Sequence, residues 1–177
     1  SVASNGFWAA LTIATTLELP MLFFIEDNQI GISVPGDLQT PGANIAENLA
    51  AFNNLYIRDG DGTDPEDAAI KVSEAVAHVR AGNGPALLHL NVVRLHGHTY
   101  GEDQTAYKTP EQIEAEFARD PMQRLQRYLG DDFGWEELAE SVQQDVRAGL
   151  AEAEASLAPS ADDIAPHLFF NNSQQVP

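Results

Sequence analysis

Met21-Leu22-Phe23-Phe24-Ile25 follows Pro20 and runs straight into Glu26-Asp27-Asn28. A strand-length segment that is apolar on both alternating faces must be covered on both, as it is inside a parallel sheet packed between helices. Two further runs fit the same frame: Leu55-Tyr56-Ile57, and the longer Pro85-Ala86-Leu87-Leu88-His89-Leu90-Asn91-Val92-Val93. The spacing predicts strands over 20–26, 54–58 and 85–93. Helix-length spacers separate them, so the strands should be parallel neighbours joined by crossovers.

The helices are legible from their ends. Phe7, Leu11, Ala14 and Leu17 keep helical spacing over 6–18, and Pro20 stops the helix. A Pro/Gly-rich loop over 34–43 precedes a short helix over 44–52. Asp64-Pro65-Glu66-Asp67 joins a capping acid, a proline at the first helical position and acids in the first turn, which starts a helix running to about Arg80 and Gly82. Beyond Arg94 the character changes. A polar loop over 95–109 leads to three predicted helices, over 110–118, 121–129 and 135–157, and then to a proline-containing tail. The expected organisation is a parallel α/β core over 1–94, a loop over 95–109, a helical extension over 110–157 and a linker or arm over 158–177. The fold class is α/β, part of a doubly wound parallel sheet with a C-terminal helical extension.

Composition narrows the function classes. The formal net charge is -18, and residues 111–177 carry 14 acids against 4 bases, more than half of the excess. Such a surface repels phosphate backbones and anionic lipid, which argues against nucleic acid and membrane partners. No apolar stretch is long enough to span a bilayer, and no basic segment leads into an apolar run at the start. The absence of cysteine removes disulfides, thiolate metal sites and a cysteine nucleophile, and fits a reducing, cytoplasmic setting.

Two segments carry candidate chemistry. Asp27-Asn28-Gln29-Ile30-Gly31 follows the first strand, and open α/β sheets bind ligands at the carboxyl ends of their strands. The Asn28 carboxamide and the Ile30 carbonyl are hard oxygen donors of the kind magnesium accepts beside phosphate oxygens; the plainer alternative is a polar turn closing a strand. Arg94-Leu95-His96-Gly97-His98-Thr99 follows the third strand. His96 and His98 have no third ligand at zinc spacing. An arginine and a histidine on a glycine-flanked loop suit a diphosphate and a polarised carbonyl better. Gly60-Asp61-Gly62 with a later Asn91 imitates a cofactor motif, but Asn91 sits inside an apolar run, so the segment reads as a strand-to-helix link.

Leu19-Pro20 through Ser33 resembles the second half of the thiamine diphosphate motif in the α subunits of 2-oxo acid dehydrogenase E1 components. Arg94 through Tyr107-Lys108-Thr109-Pro110-Glu111 is similar to that family's phosphorylation loop. The resemblance covers roughly residues 4–157. It departs from the family at Ala9 and Thr12, where Glu and Asn are usual, and at Ile30, where an aromatic is common. The motif's Gly-Asp-Gly, at the family's spacing, is expected just before Ser1.

The resemblance implies a diphosphate-binding domain, with Asn28 and the Ile30 carbonyl as two protein ligands of Mg²⁺ in a site needing a third. It implies that His98 approaches the reacting centre and that Arg94 contacts the diphosphate of thiamine diphosphate or anchors the loop. Thr99 takes the place of the phosphorylated serine, with Glu102, Asp103 and Tyr107 completing a regulatory loop. The implied activity is oxidative decarboxylation of a 2-oxo acid with acyl transfer to lipoyl. The implied partners are an E1 β chain or β half, a second α/β copy and a lipoyl-bearing E2. The alternatives are a non-catalytic fragment or scaffold subunit, and another thiamine diphosphate enzyme of transketolase type.

Overall fold

The computed structural model describes residues 2–164; the remainder of the tail, 165–177, lies outside the described residues. The described chain divides into two compact units, one ending at Gly130 and one beginning at Asp131.

The first unit is built on a three-stranded parallel sheet of β1 (Leu22–Asp27), β4 (Tyr56–Asp61) and β5 (Ala86–Asn91). The order is β1-β5-β4, so the last strand in sequence fills the centre. Leu22 pairs with Ala86 and Asp27 with Asn91, while Tyr56 and Asp61 pair with the same two residues from the other side. The three strands are parallel, as the apolar runs and spacers predict.

Alternation along β5 divides the core. Leu87 faces a cluster with Leu11, Ile45, Ala46 and Leu49, against which Phe7, Phe23, Ile25 and Ile57 pack. These residues bring α1 (Asn5–Thr16) and α2 (Ile45–Asn48) to that side. Ala86, Leu88 and Leu90 face Ala75, with Ala68, Val72 and Val79 packed alongside, which places α3 (Pro65–Arg80) on the opposite face. Helices on both faces give the α/β layering expected of a doubly wound sheet. Full burial falls to the central strand, where Ala86, Leu87 and Leu88 are each 0% exposed; β1, expected to be covered on both faces, lies at the edge of the sheet and leaves Phe24 47% exposed.

The strand limits shift from those expected. β1 starts later because Leu19 and Met21 turn out of α1, the Leu19 amide bonding to the Ala14 carbonyl and the Met21 amide to that of Leu19. β4 runs on through Asp59, Gly60 and Asp61, expected beyond its end, because their backbone pairs with His89, Leu90 and Asn91 and the polar side chains find partners at the sheet's carboxyl edge. Within the stretch read as loop, Val34–Pro35 (β3) pairs antiparallel with Ile30–Gly31 (β2) in a small hairpin.

Helix starts follow their caps. The Asp64 carboxylate accepts from the Glu66 and Asp67 amides ahead of α3. Thr109 and Gln112 form a reciprocal capping box at α4 (Pro110–Phe117), and Asp120 caps α5 (Pro121–Leu129). Each of these helices has proline at its first position. The second unit holds α6 (Trp135–Ala155), which starts after Gly134 at φ 82°. Leu138, Val142, Val146 and Leu150 form an exposed stripe along α6, four residues apart. Among the described residues no helix is long and apolar enough to cross a membrane.

Candidate functional site

The carboxyl ends of β1, β4 and β5 gather most of the chemistry. After β1 the chain turns sharply: the Asp27 carboxylate accepts the Gln29 amide at 2.8 Å, and the Asn28 carboxamide oxygen accepts the Ile30 amide at 3.1 Å. Gln29 takes φ 60°, a left-handed conformation at which a non-glycine residue needs support from its surroundings. The Gly36 amide supplies part of it by bonding to the Gln29 carbonyl at 2.7 Å. Asn28 and Ile30 then line one cleft of about 240 Å³ with Ile25, Glu26, Asp27 and Gly31.

The donor set there fits a small hard cation bound with phosphate oxygens. A carboxamide oxygen has two lone pairs, and the Ile30 amide uses one of Asn28's. Ile30 stands opposite Pro35, one step from the Gln29–Gly36 pair that carries a ladder bond, so the alternation of the antiparallel ladder turns the Ile30 carbonyl away from β3. Among the described residues no three His, Asp or Glu side chains are grouped to hold a metal. The Asn28 carboxamide and the Ile30 carbonyl are oxygen donors of the kind a magnesium ion takes beside phosphate oxygens.

Arg94, just past β5, links the two segments singled out in the sequence. Its guanidinium donates to the Ile32 carbonyl at 2.8 Å and to the Tyr107 hydroxyl, so it ties the β2–β3 hairpin to the far end of the 95–109 loop. Its buried Nε has no partner among the described residues. Glu102 accepts the His98 amide. Desolvation, the largest single influence, works against the charged form of Glu102, but the His98 amide, the nearby Tyr107 and the Arg94 charge together hold its pKa below the ordinary value. Asp103 closes a turn by accepting the Thr105 amide at 2.9 Å and hydroxyl at 2.7 Å. His98 and Thr99 are exposed and do not line the Asn28–Ile30 cleft.

The loop's far end is held by Lys108, 8% exposed, whose ammonium bonds to Glu116 and Gln104 and approaches the Arg94 carbonyl at 3.4 Å. The segment imitating a cofactor motif has its own cations. Asp61 and Asn91 lie side by side in register, and Arg119 donates to Asn91 at 2.9 Å while Arg124 donates to Asp61 at 3.0 Å. Although burial opposes it, Thr63 and the two arginines lower the Asp61 pKa to about 2.

Sequence reasoning did not single out His89. It is 2% exposed on the central strand, its Nδ1 2.8 Å from Asp59 and its Nε2 3.0 Å from Asp27. A neutral imidazole can donate from only one nitrogen, so two carboxylate partners select the imidazolium. Burial pulls the His89 pKa down, yet the bonds and charges of Asp59 and Asp27 raise it above the ordinary value. The available signal was a titratable residue within the most apolar run of the chain, with acids ending both neighbouring strands.

A pH dependence follows. Because the folded-state pKa of His89 lies above the unfolded value of about 6.5, its contribution to stability is complete below that value and is lost as pH rises through the folded pKa. Thermal unfolding followed from pH 6 upward should show this loss, and His89→Leu should reduce the slope. An unchanged slope in that variant would count against the imidazolium.

Comparison with known proteins identifies the family. The family model for the dehydrogenase E1 component matches residues 2–163. The 3-methyl-2-oxobutanoate dehydrogenase subunit alpha of Mycobacterium tuberculosis is 33% identical over 148 residues, covering 81% of this chain and 40% of the relative. The 2-oxoisovalerate dehydrogenase subunit alpha of Bacillus subtilis is 30% identical, covering 89% and 48%, and the pyruvate dehydrogenase E1 component subunit alpha of Bacillus cereus is 29% identical, covering 94% and 47%. The chain thus spans somewhat under half the length of these curated relatives. With the family model spanning nearly all of the described residues, the chain belongs to the dehydrogenase E1 component family.

Proposed function

We propose that this chain forms the cofactor-anchoring portion of the α side of a thiamine-diphosphate-dependent 2-oxo acid dehydrogenase, acting with a β chain or β half in the cytoplasm. The observation that carries this reading is the pairing of family membership with two hard oxygen donors, from Asn28 and Ile30, on one cleft at the carboxyl edge of the sheet. Thiamine diphosphate, when bound, supplies the carbon nucleophile for decarboxylation of the 2-oxo acid.

The chain's own residues bind and position. Asn28 and the Ile30 carbonyl would hold Mg²⁺, which would neutralise diphosphate charge. Arg94 fixes the hairpin that presents Ile30, and its spare Nε–H can meet a water or an anion. His98, on the exposed loop, is the group that meets substrate, close to where charge develops. Transfer of the acyl group to a lipoyl-bearing E2, and pairing with a second α/β copy, complete the assembly. The relatives' names include branched-chain 2-oxo acids and pyruvate, which sets the substrate class to be assayed.

The test is turnover by the complete protein with its partner chain, using pyruvate and 3-methyl-2-oxobutanoate with an artificial electron acceptor. Cofactor-dependent decarboxylation of either supports the reading, and none with either substrate sinks it. Thr99→Glu in the same protein should abolish most turnover, because it adds negative charge beside Glu102 and Asp103 on the loop that carries His98. Full turnover by that variant would remove Thr99 from the site.

A further inference from the structure

We propose that His89 is a positioning residue for the metal-binding turn: its buried imidazole, held between Asp59 and Asp27, sets the conformation in which Asn28 and Ile30 meet the cation. The inference rests on the reading of those two residues as magnesium ligands.

A single line of hydrogen bonds crosses the sheet to that turn. Asn44, which caps α2, donates to Asp59 Oδ2 at 2.9 Å. Asp59 Oδ1 holds His89 Nδ1, and His89 Nε2 holds Asp27 Oδ2. The remaining Asp27 oxygen accepts the Gln29 amide, and the Asp27 carbonyl accepts the Val92 amide at 2.9 Å. Each Asp27 oxygen thus has a separate task, one toward the central strand and one toward the turn. Without His89 the carboxylate can rotate, and the Gln29 amide at φ 60° loses the acceptor that stabilises its left-handed backbone. Asn28 lies between these two fixed points, so its carboxamide inherits their orientation.

Burial explains why an imidazole serves here. The position is 2% exposed, while the Asp27 and Asp59 side chains are 23% and 41% exposed. A planar group with a donor on each edge reaches acids on both neighbouring strands from the central one. Groups that orient metal ligands without touching the ion typically change metal affinity by about 10–100-fold when removed.

The experiment uses the complete protein with its partner chain. Mg²⁺ is titrated at fixed thiamine diphosphate, and cofactor binding is read by calorimetry for the parent, His89→Leu, Asp59→Ala and Asn28→Ala. Thermal midpoints are measured alongside, and every titration is run well below the lowest of them. His89→Leu and Asp59→Ala should each raise the Mg²⁺ concentration for half-saturation about tenfold. Asp59 touches neither the turn nor the cleft lining, so its effect reports on the line of bonds; being partly exposed, its variant also serves should His89→Leu not fold.

A lower midpoint with the parent's Mg²⁺ dependence in Asp59→Ala, and in His89→Leu where it folds, overturns the inference when Asn28→Ala is impaired, and leaves the metal assignment standing. Parent-like behaviour of Asn28→Ala removes the metal assignment and the inference with it.

Discussion

Asn28→Ala in the complete protein is expected to weaken Mg²⁺-dependent binding of thiamine diphosphate by about a hundredfold or more, with little loss of thermal stability in the cofactor-free state. Loss of a group that only orients a ligand costs about 10–100-fold in metal affinity, so removal of a donor itself should reach at least the upper end. The carboxamide's one hydrogen bond in the turn is to the half-buried Ile30 amide, and net loss of such a bond costs about 1 kcal/mol. The two readouts should therefore separate. Calorimetric titration with and without Mg²⁺ decides the matter, and equal affinity for parent and variant would displace Asn28 from the metal. Asn28→Asp is the informative companion. It keeps an oxygen in place and adds charge, so it should retain far more affinity than alanine.

The second large effect belongs to the core. Leu87→Ala should destabilise the fold by about 3 kcal/mol, since leucine-to-alanine changes at fully buried sites cost about 2–5 kcal/mol through lost transfer energy and the cavity left behind. Leu87 lies on the central strand, is 0% exposed and meets α1 and α2 together through Leu11, Ile45 and Leu49. None of its neighbours can fill the space alone without dragging a helix inward. Leu157→Ala is the control: that side chain is 96% exposed, and its loss should change stability by less than about 0.5 kcal/mol. Chemical denaturation of both variants checks the contrast, and similar midpoints would mean that the sheet is not buried as described.

Much of the frame was legible because its signals are local. Proline at a first helical position behind a capping acid marked α3, the starts read at Pro110 and Pro121 are those of α4 and α5, and apolar runs marked β1 and β5. Strand order was not legible, since nothing within 85–93 says that it will insert between two strands already in sequence. The same holds for the site. Asn28 and Ile30 were found through a contiguous motif and do share a cleft, whereas His89 depends on partners 30 and 62 residues away. Arg119 and Arg124 likewise reach back 58 and 63 residues to Asp61, from a segment that reads only as helix. Side chains whose partners come from distant strands leave no periodic trace. The Asp59–His89–Asp27 line could be suspected only from the oddity of a titratable group in an apolar strand.

The 95–109 loop is secured at both ends, by Arg94 where it leaves the sheet, which also reaches Tyr107 at the far end, and by Lys108 where it enters α4. Beyond it, Arg119 and Arg124 bond to acceptors at the ends of β4 and β5. Between the two moorings Tyr100 projects wholly into solvent beside Gly101 at φ 79°. Covalent continuity at that crest consequently adds little to what keeps α4 and α5 in place. A chain opened between Tyr100 and Gly101 would behave as two polypeptides in one particle, and evolution could lengthen or interrupt the crest without disturbing either landing point.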